Sequence, residues 1–123
     1  MLTADKVRAA LEALSPTQEK VDLAVKTAVE IAQPSRVILF GSWARGEAKW
    51  DSDLDLAVLI PDSRKSEIGD LRNRLLRALG SIPMSTDLVV ASEGYAGEFQ
   101  ASVNSVYYKI LRNGKAVYDS GHR

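Results

Sequence analysis

Apolar positions along this 123-residue chain change their period several times, and each change marks an element. From Thr3 to Leu14, the residues Val7, Ala10, Leu11 and Leu14 recur on one face of a short helix. Ser15-Pro16-Thr17-Gln18 restarts the chain. Ser15 reads as an N-cap, Pro16 suits the first helical position, and Gln18 completes a capping box. This second helix is predicted to run to about Ala32, to bury Val21, Ala24, Val25, Ala28 and Ile31, and to end at Pro34. Arg36 to Phe40 then carries the unbroken apolar run Val37-Ile38-Leu39-Phe40, the mark of a strand covered on both faces.

From Asp53 to Ile60 the period falls to two. Leu54, Leu56, Val58 and Ile60 share one face, and Asp53, Asp55, Ala57 and Leu59 share the other. Pro61-Asp62-Ser63 reads as a turn. A helix from roughly Arg64 to Leu79 buries Ile68, Leu71, Leu75 and Leu79 and stops at Gly80. A third strand covers about Thr86 to Ala91. Ser92 caps a last helical region whose stripe is Val103, Val106, Tyr107 and Ile110. Asn113-Gly114 ends it, and Lys115 to Tyr118 adds a short edge strand.

This order predicts an α/β (α+β) fold with a small mixed sheet packed against helices. A short loop joins the first two strands, so they pair antiparallel. A full helix joins the second and third, the usual parallel crossover. Parallel strands start at one edge of a sheet, so Asp53 and Asp87 can converge there. The Gly41-Ser42 turn leaves the first strand at the same edge.

That convergence has chemical content. Asp53 and Asp55 project the same way, about 7 Å apart along an extended backbone. They can share one Mg²⁺ or lean on two ions about 3.5–4 Å apart. Without a cation the paired carboxylates repel each other. A bare Asp-x-Asp reads equally as solvated acids beside a turn. The Gly-Ser turn upstream and Asp87 downstream favour a site. Gly41 admits a close backbone approach to phosphate, and Ser42 offers a hydroxyl and an amide. Arg45 can reach a triphosphate or form a surface ion pair. Trp43 and Trp50 flank the loop and either pack over it or stack on a base. Arg72, Arg74 and Arg77 read as a solvated helix face, Tyr107 and Tyr108 as core and rim, and His122 as a tail residue without a partner.

Composition narrows the classes. Formal net charge is zero, so there is no strong nucleic-acid footprint. The absence of cysteine excludes disulfides and thiolate metal sites and accords with a reducing cytoplasm. No apolar stretch approaches a membrane span, and the N-terminal residues lack the layout of a signal peptide. The expected location is therefore cytoplasmic, and the length fits a single domain.

Gly41-Ser42, ten further residues, and then Asp53-Leu54-Asp55 resemble the signature of the DNA polymerase beta-like nucleotidyltransferase superfamily. The Gly-Ser-Trp-Ala-Arg-Gly form and the closing Ile110-Leu111-Arg112-Asn113-Gly114-Lys115-Ala116-Val117-Tyr118 resemble its minimal nucleotidyltransferase (MNT) group. The resemblance implies a nucleotidyltransferase domain over residues 1–123, with an N-terminal helical segment at 1–33 and a catalytic core at 35–118. It implies transfer of a nucleoside monophosphate, AMP from ATP, to an acceptor hydroxyl. Asp53 and Asp55 would bind two Mg²⁺ ions. Asp87 would bind the catalytic ion and help deprotonate the acceptor, while Gly41 and Ser42 would hold the β- and γ-phosphates. Minimal members often pair with a HEPN-domain protein as the antitoxin of a toxin–antitoxin pair, which makes such a protein, or a second copy of this chain, the expected partner. A non-catalytic antitoxin that acts by binding, and an antibiotic-modifying nucleotidyltransferase, are the competing expectations.

Overall fold

Alternation in the sequence becomes a sheet with two covered faces. A computed structural model describes residues 1–121; His122 lies outside the described residues. Strands β1 (Arg36–Phe40), β2 (Leu54–Ile60), β3 (Thr86–Ser92) and β4 (Lys115–Asp119) form one sheet in the order β3-β2-β1-β4. β1 pairs antiparallel with β2 and β4, and β2 pairs parallel with β3. The mixed sheet is the one the connections require.

The two residue sets of β1 and β2 feed two cores. Val37, Leu39, Leu54, Leu56, Val58 and Ile60 pack with Val21, Ala24 and Ala28 of α2 (Gln18–Ala32) and with Leu71, Leu75 and Leu79 of α4 (Ile68–Leu79). Ile38, Phe40, Ala57 and Leu59 pack on the opposite face with Ala96 of α5 (Glu93–Phe99) and Ile110 of α6 (Val106–Asn113). Ser35, Arg36 and Glu93 fasten α5 at the sheet end where β2 and β3 finish. Arg36 donates Nε to Glu93 Oε2 at 2.9 Å and Nη2 to Oε1 at 2.6 Å, and the Ser35 hydroxyl donates to the same carboxylate at 2.7 Å.

Helix boundaries depart from the sequence reading where side chains find other partners. α1 spans Ala4–Glu12 and buries none of its residues, so the Val7, Leu11 and Leu14 stripe stays exposed. α2 begins at Gln18 with Thr17, not Ser15, as its N-cap, because the Ser15 hydroxyl donates instead to the Trp50 carbonyl. Val25 and Ile31 are only partly buried, and Ala32 takes the last core position of α2. A 3₁₀ segment, Asp62–Glu67, precedes α4 where a turn and an earlier helix start are expected, and Ile68 is only half-buried. The last helical region is two helices. α5 stops at Phe99, and α6 restarts at Val106 under a Ser105 cap, leaving Val103 exposed between them. Replacing Thr17 with alanine should cost about 1 kcal/mol, read by chemical denaturation, because the Lys20 amide loses its side-chain acceptor at the helix start.

α3 (Gly41–Ala44) is one short turn between β1 and the loop that leads into β2. Gly114 brings α6 directly against β1, since a Cβ there would overlap the Ile110 carbonyl and crowd Ile38. Together these elements place α3, the start of β2 and α6 around one end of the sheet. No helix among the described residues is long and apolar enough to cross a membrane.

Candidate active site

The register of the sheet gathers the acids. Phe40, the last residue of β1, pairs with Asp55, and Asp55 in turn pairs with Asp87 on the parallel neighbour. Asp55 shares a face with Ala57 and Leu59, and Asp87 shares a face with Val89 and Ala91. These residues belong to the same core, so both carboxyls rise on the side that α5 and α6 cover. Asp53 sits just ahead of β2, in an exposed position on the same parity as Asp55.

Asp55 shows the electrical result. Burial pushes its carboxyl above the ordinary aspartate range. The charges of Asp87 and Asp53 and a hydrogen bond with Asp87 raise it further, while the charge of Arg45 opposes them. The site therefore holds more negative charge than its surroundings neutralise.

Gly41 is shaped to this arrangement. Its φ of +73° lies in the left-handed region, and a Cβ on it would overlap Asp55 Oδ2. The turn thus lays bare backbone against a carboxylate. Beside it opens a cleft of about 530 Å³ lined by Phe40, Gly41, Ser42, Arg45, Asp55, Val106, Lys109 and Asn113. Gly41, Ser42, Arg45 and Asp55 thus meet in one space, while Asp53 and Asp87 stand at its acidic side without lining it.

Arg45 is exposed and pairs with Glu47 at 3.0 Å while still lining the cleft. Trp43 packs on the larger core and lines a separate groove with Leu39 and Val117. Trp50 is partly exposed beneath the guanidinium of Arg8, 5.2 Å from its ring centroid. Arg72, Arg74 and Arg77 are exposed, and Arg74 approaches Asp70 at 3.8 Å. Tyr107 and Tyr108 are both half-buried.

The contribution of α6 escaped the sequence reading. Val106, Lys109 and Asn113 follow the i, i+3, i+7 spacing of one helix face. That period was visible, but nothing in the sequence said that this face would look onto Gly41 and Asp55 rather than onto solvent.

Three oxygen-bearing side chains around an excess negative charge suit a hard divalent cation. Among the described residues, however, no group of three or more acidic or histidine side chains is arranged to hold a metal ion. The donor chemistry of Asp53, Asp55 and Asp87 fits such an ion.

The comparisons with known proteins bear on the family and the fold. The model of the polymerase beta nucleotidyltransferase family matches residues 19–123, and the chain belongs to that family. The fold is similar to the crystal structure of a protein of proposed nucleotidyltransferase function from Sulfolobus solfataricus. That match has a TM-score of 0.57 and 16% identity, over 98% of this chain and 92% of that one. A second similarity is to the crystal structure of a toxin–antitoxin with AMP-PNP, with a TM-score of 0.48 and 23% identity, over 80% of this chain and 73% of that one. No curated protein matches.

Proposed function

We propose that this chain is a divalent-metal-dependent nucleotidyltransferase that moves AMP from ATP to a hydroxyl of a partner protein, acting as the antitoxin towards a HEPN-type toxin. The observation that carries the reading is the pairing of Asp55 with Asp87 on adjacent parallel strands, with Gly41 backbone laid against Asp55. Membership of the nucleotidyltransferase family supports the reaction class. A macromolecular acceptor suits the site because Asp53 and Asp87 are exposed at the end of the sheet, where a side chain of another protein can reach them.

In this mechanism Gly41 and Ser42 would seat the β- and γ-phosphates in the cleft, and Asp53, Asp55 and Asp87 would hold the divalent ions. When bound, those ions screen the triphosphate and make its α-phosphorus more electrophilic. The acceptor oxygen forms a bond to the α-phosphorus as the bond to the bridging oxygen breaks, and pyrophosphate leaves. Asp87 receives the hydroxyl proton. β2 and β3 hold Asp55 and Asp87 in register, so the orientation of these two acids is set before the substrate arrives.

Incubation with labelled ATP, Mg²⁺ and the product of an adjacent HEPN-type gene tests the reading. Label should pass to the partner with the wild-type chain and fail to pass with Asp53→Ala. Equal labelling by the two proteins, or none by either, would reject it.

A second reading is an antitoxin that neutralises its partner by covering it, for which the exposed acids at the sheet end offer a reachable surface. The Asp53→Ala/Asp55→Ala double variant separates the two. It still protects cells from the toxin if binding suffices, and it fails if transfer is required.

A further inference from the structure

Of the two cations lining the cleft, Arg45 is engaged by Glu47 at 3.0 Å, and it is also the cation whose charge steadies Asp55. Lys109 makes no ion pair or hydrogen bond among the described residues, yet it lines the same cleft as Gly41, Ser42 and Asp55. Its place is firmly set. Lys109 precedes Ile110, which is only 1% exposed in the core, and the close approach at Gly114 seats α6 on β1. α6 is anchored on the sheet, and the Lys109 ammonium ends a long stem with several rotatable bonds.

We infer that Lys109 is a phosphate-binding residue whose ammonium grips the β- and γ-phosphates of the nucleotide from the α6 side of the cleft. This inference rests on the nucleotidyltransferase reading and adds a residue to it. The physical case is one of charge placement. A triphosphate is strongly anionic, and beyond any ions held by Asp55 its β- and γ-oxygens still call for a cation on the facing wall of the cleft. A compact ammonium with three rotatable donors, unspent on any protein acid, meets that need. As the bond from the α-phosphorus to the bridging oxygen breaks, negative charge moves onto the departing pyrophosphate. A cation on that group serves the reaction as well as binding. Asn113 lies one helical turn further along the same face and brings its amide to the same wall of the cleft.

Calorimetry on the full chain with Mg²⁺ present tests the inference, with ATP, AMP and pyrophosphate as separate probes. Lys109→Ala should bind ATP and pyrophosphate about 10-fold more weakly and leave AMP within about twofold of wild type. Lys109→Arg should restore most of the loss, since the charge is retained. Circular dichroism and melting curves report whether the fold is intact. An equal loss for ATP and AMP, or no loss for either, overturns the role of Lys109 while leaving the nucleotidyltransferase reading standing. Failure of the wild-type chain to bind ATP at all would bring down both.

Discussion

Replacing Asp55 with asparagine is expected to lower nucleotide transfer by about 10²–10³-fold or more and to raise the melting temperature of the metal-free protein. The two effects have one cause. Asp55 stands half-buried between like charges from Asp53 and Asp87, and burial with repulsion holds its carboxyl above the ordinary range. The sign follows. A folded state that raises an acid's pKa binds its proton more tightly than the unfolded chain does. The ionised carboxylate therefore weakens the fold at neutral pH, and the cost fades as pH falls through the raised value towards the ordinary one. Asparagine keeps the shape and removes the charge. A gain of about 0.5–1 kcal/mol is typical for relieving strain of this kind at a functional site, or about 2–4 °C in Tm for a chain this size.

Three melting measurements check it. Asp55→Asn should melt higher than wild type at pH 7, and the two should converge on acidification. Mg²⁺ should raise the Tm of wild type more than that of the variant, because an ion that binds only the folded carboxylates stabilises that state. A lower Tm for the variant in metal-free buffer at neutral pH would show that Asp55 supports the fold rather than straining it.

The sheet was legible in the sequence because its two strand signals are physically distinct. A run that is apolar throughout, Val37 to Phe40, has to be covered on both sides. The alternation of β2 assigns Asp55 to one face before any coordinates exist. The strand directions followed from connection length alone. What could not be read was register. The sequence places Asp53 and Asp87 at strand starts, but β2 begins at Leu54, opposite Thr86, so Asp55 is the residue that meets Asp87. An offset of two residues along one strand keeps every side chain on its face and leaves no trace in the hydrophobic pattern.

Helix ends were less legible for a similar reason. Ser15 has the chemistry of a cap, but its hydroxyl is taken by the Trp50 carbonyl, a partner 35 residues away. The long stripe from Val103 to Ile110 concealed a break, because Ser105 serves as well at the start of a helix as within a stripe. Lys109 went unseen because a single lysine on an amphipathic helix looks like any solvated charge until its neighbours across the cleft are known.

Substituting alanine for Gly41 is expected to produce the second large effect, a loss of transfer of about 10²-fold with the fold retained. A methyl group at this position meets two penalties. The backbone is left-handed, with φ at +73°, which costs a side-chain-bearing residue about 1–2 kcal/mol. The added Cβ also falls on Asp55 Oδ2, so either the turn or the carboxylate has to move. The carboxylate is the softer of the two, since β1 and β2 hold the backbone on both sides and Asp55 has only its side chain to rotate. The site is therefore damaged more than the fold, and displacing the ligand geometry by about 1 Å is enough to lose two orders of magnitude. The measurement that separates this from general destabilisation is a double-mutant cycle with Asp55→Ala. Once the carboxylate is gone, Gly41→Ala should cost little more activity, leaving a coupling well outside the few tenths of a kcal/mol expected of independent sites. Additive losses would mean that the glycine acts through the turn alone and that its contact with Asp55 is incidental.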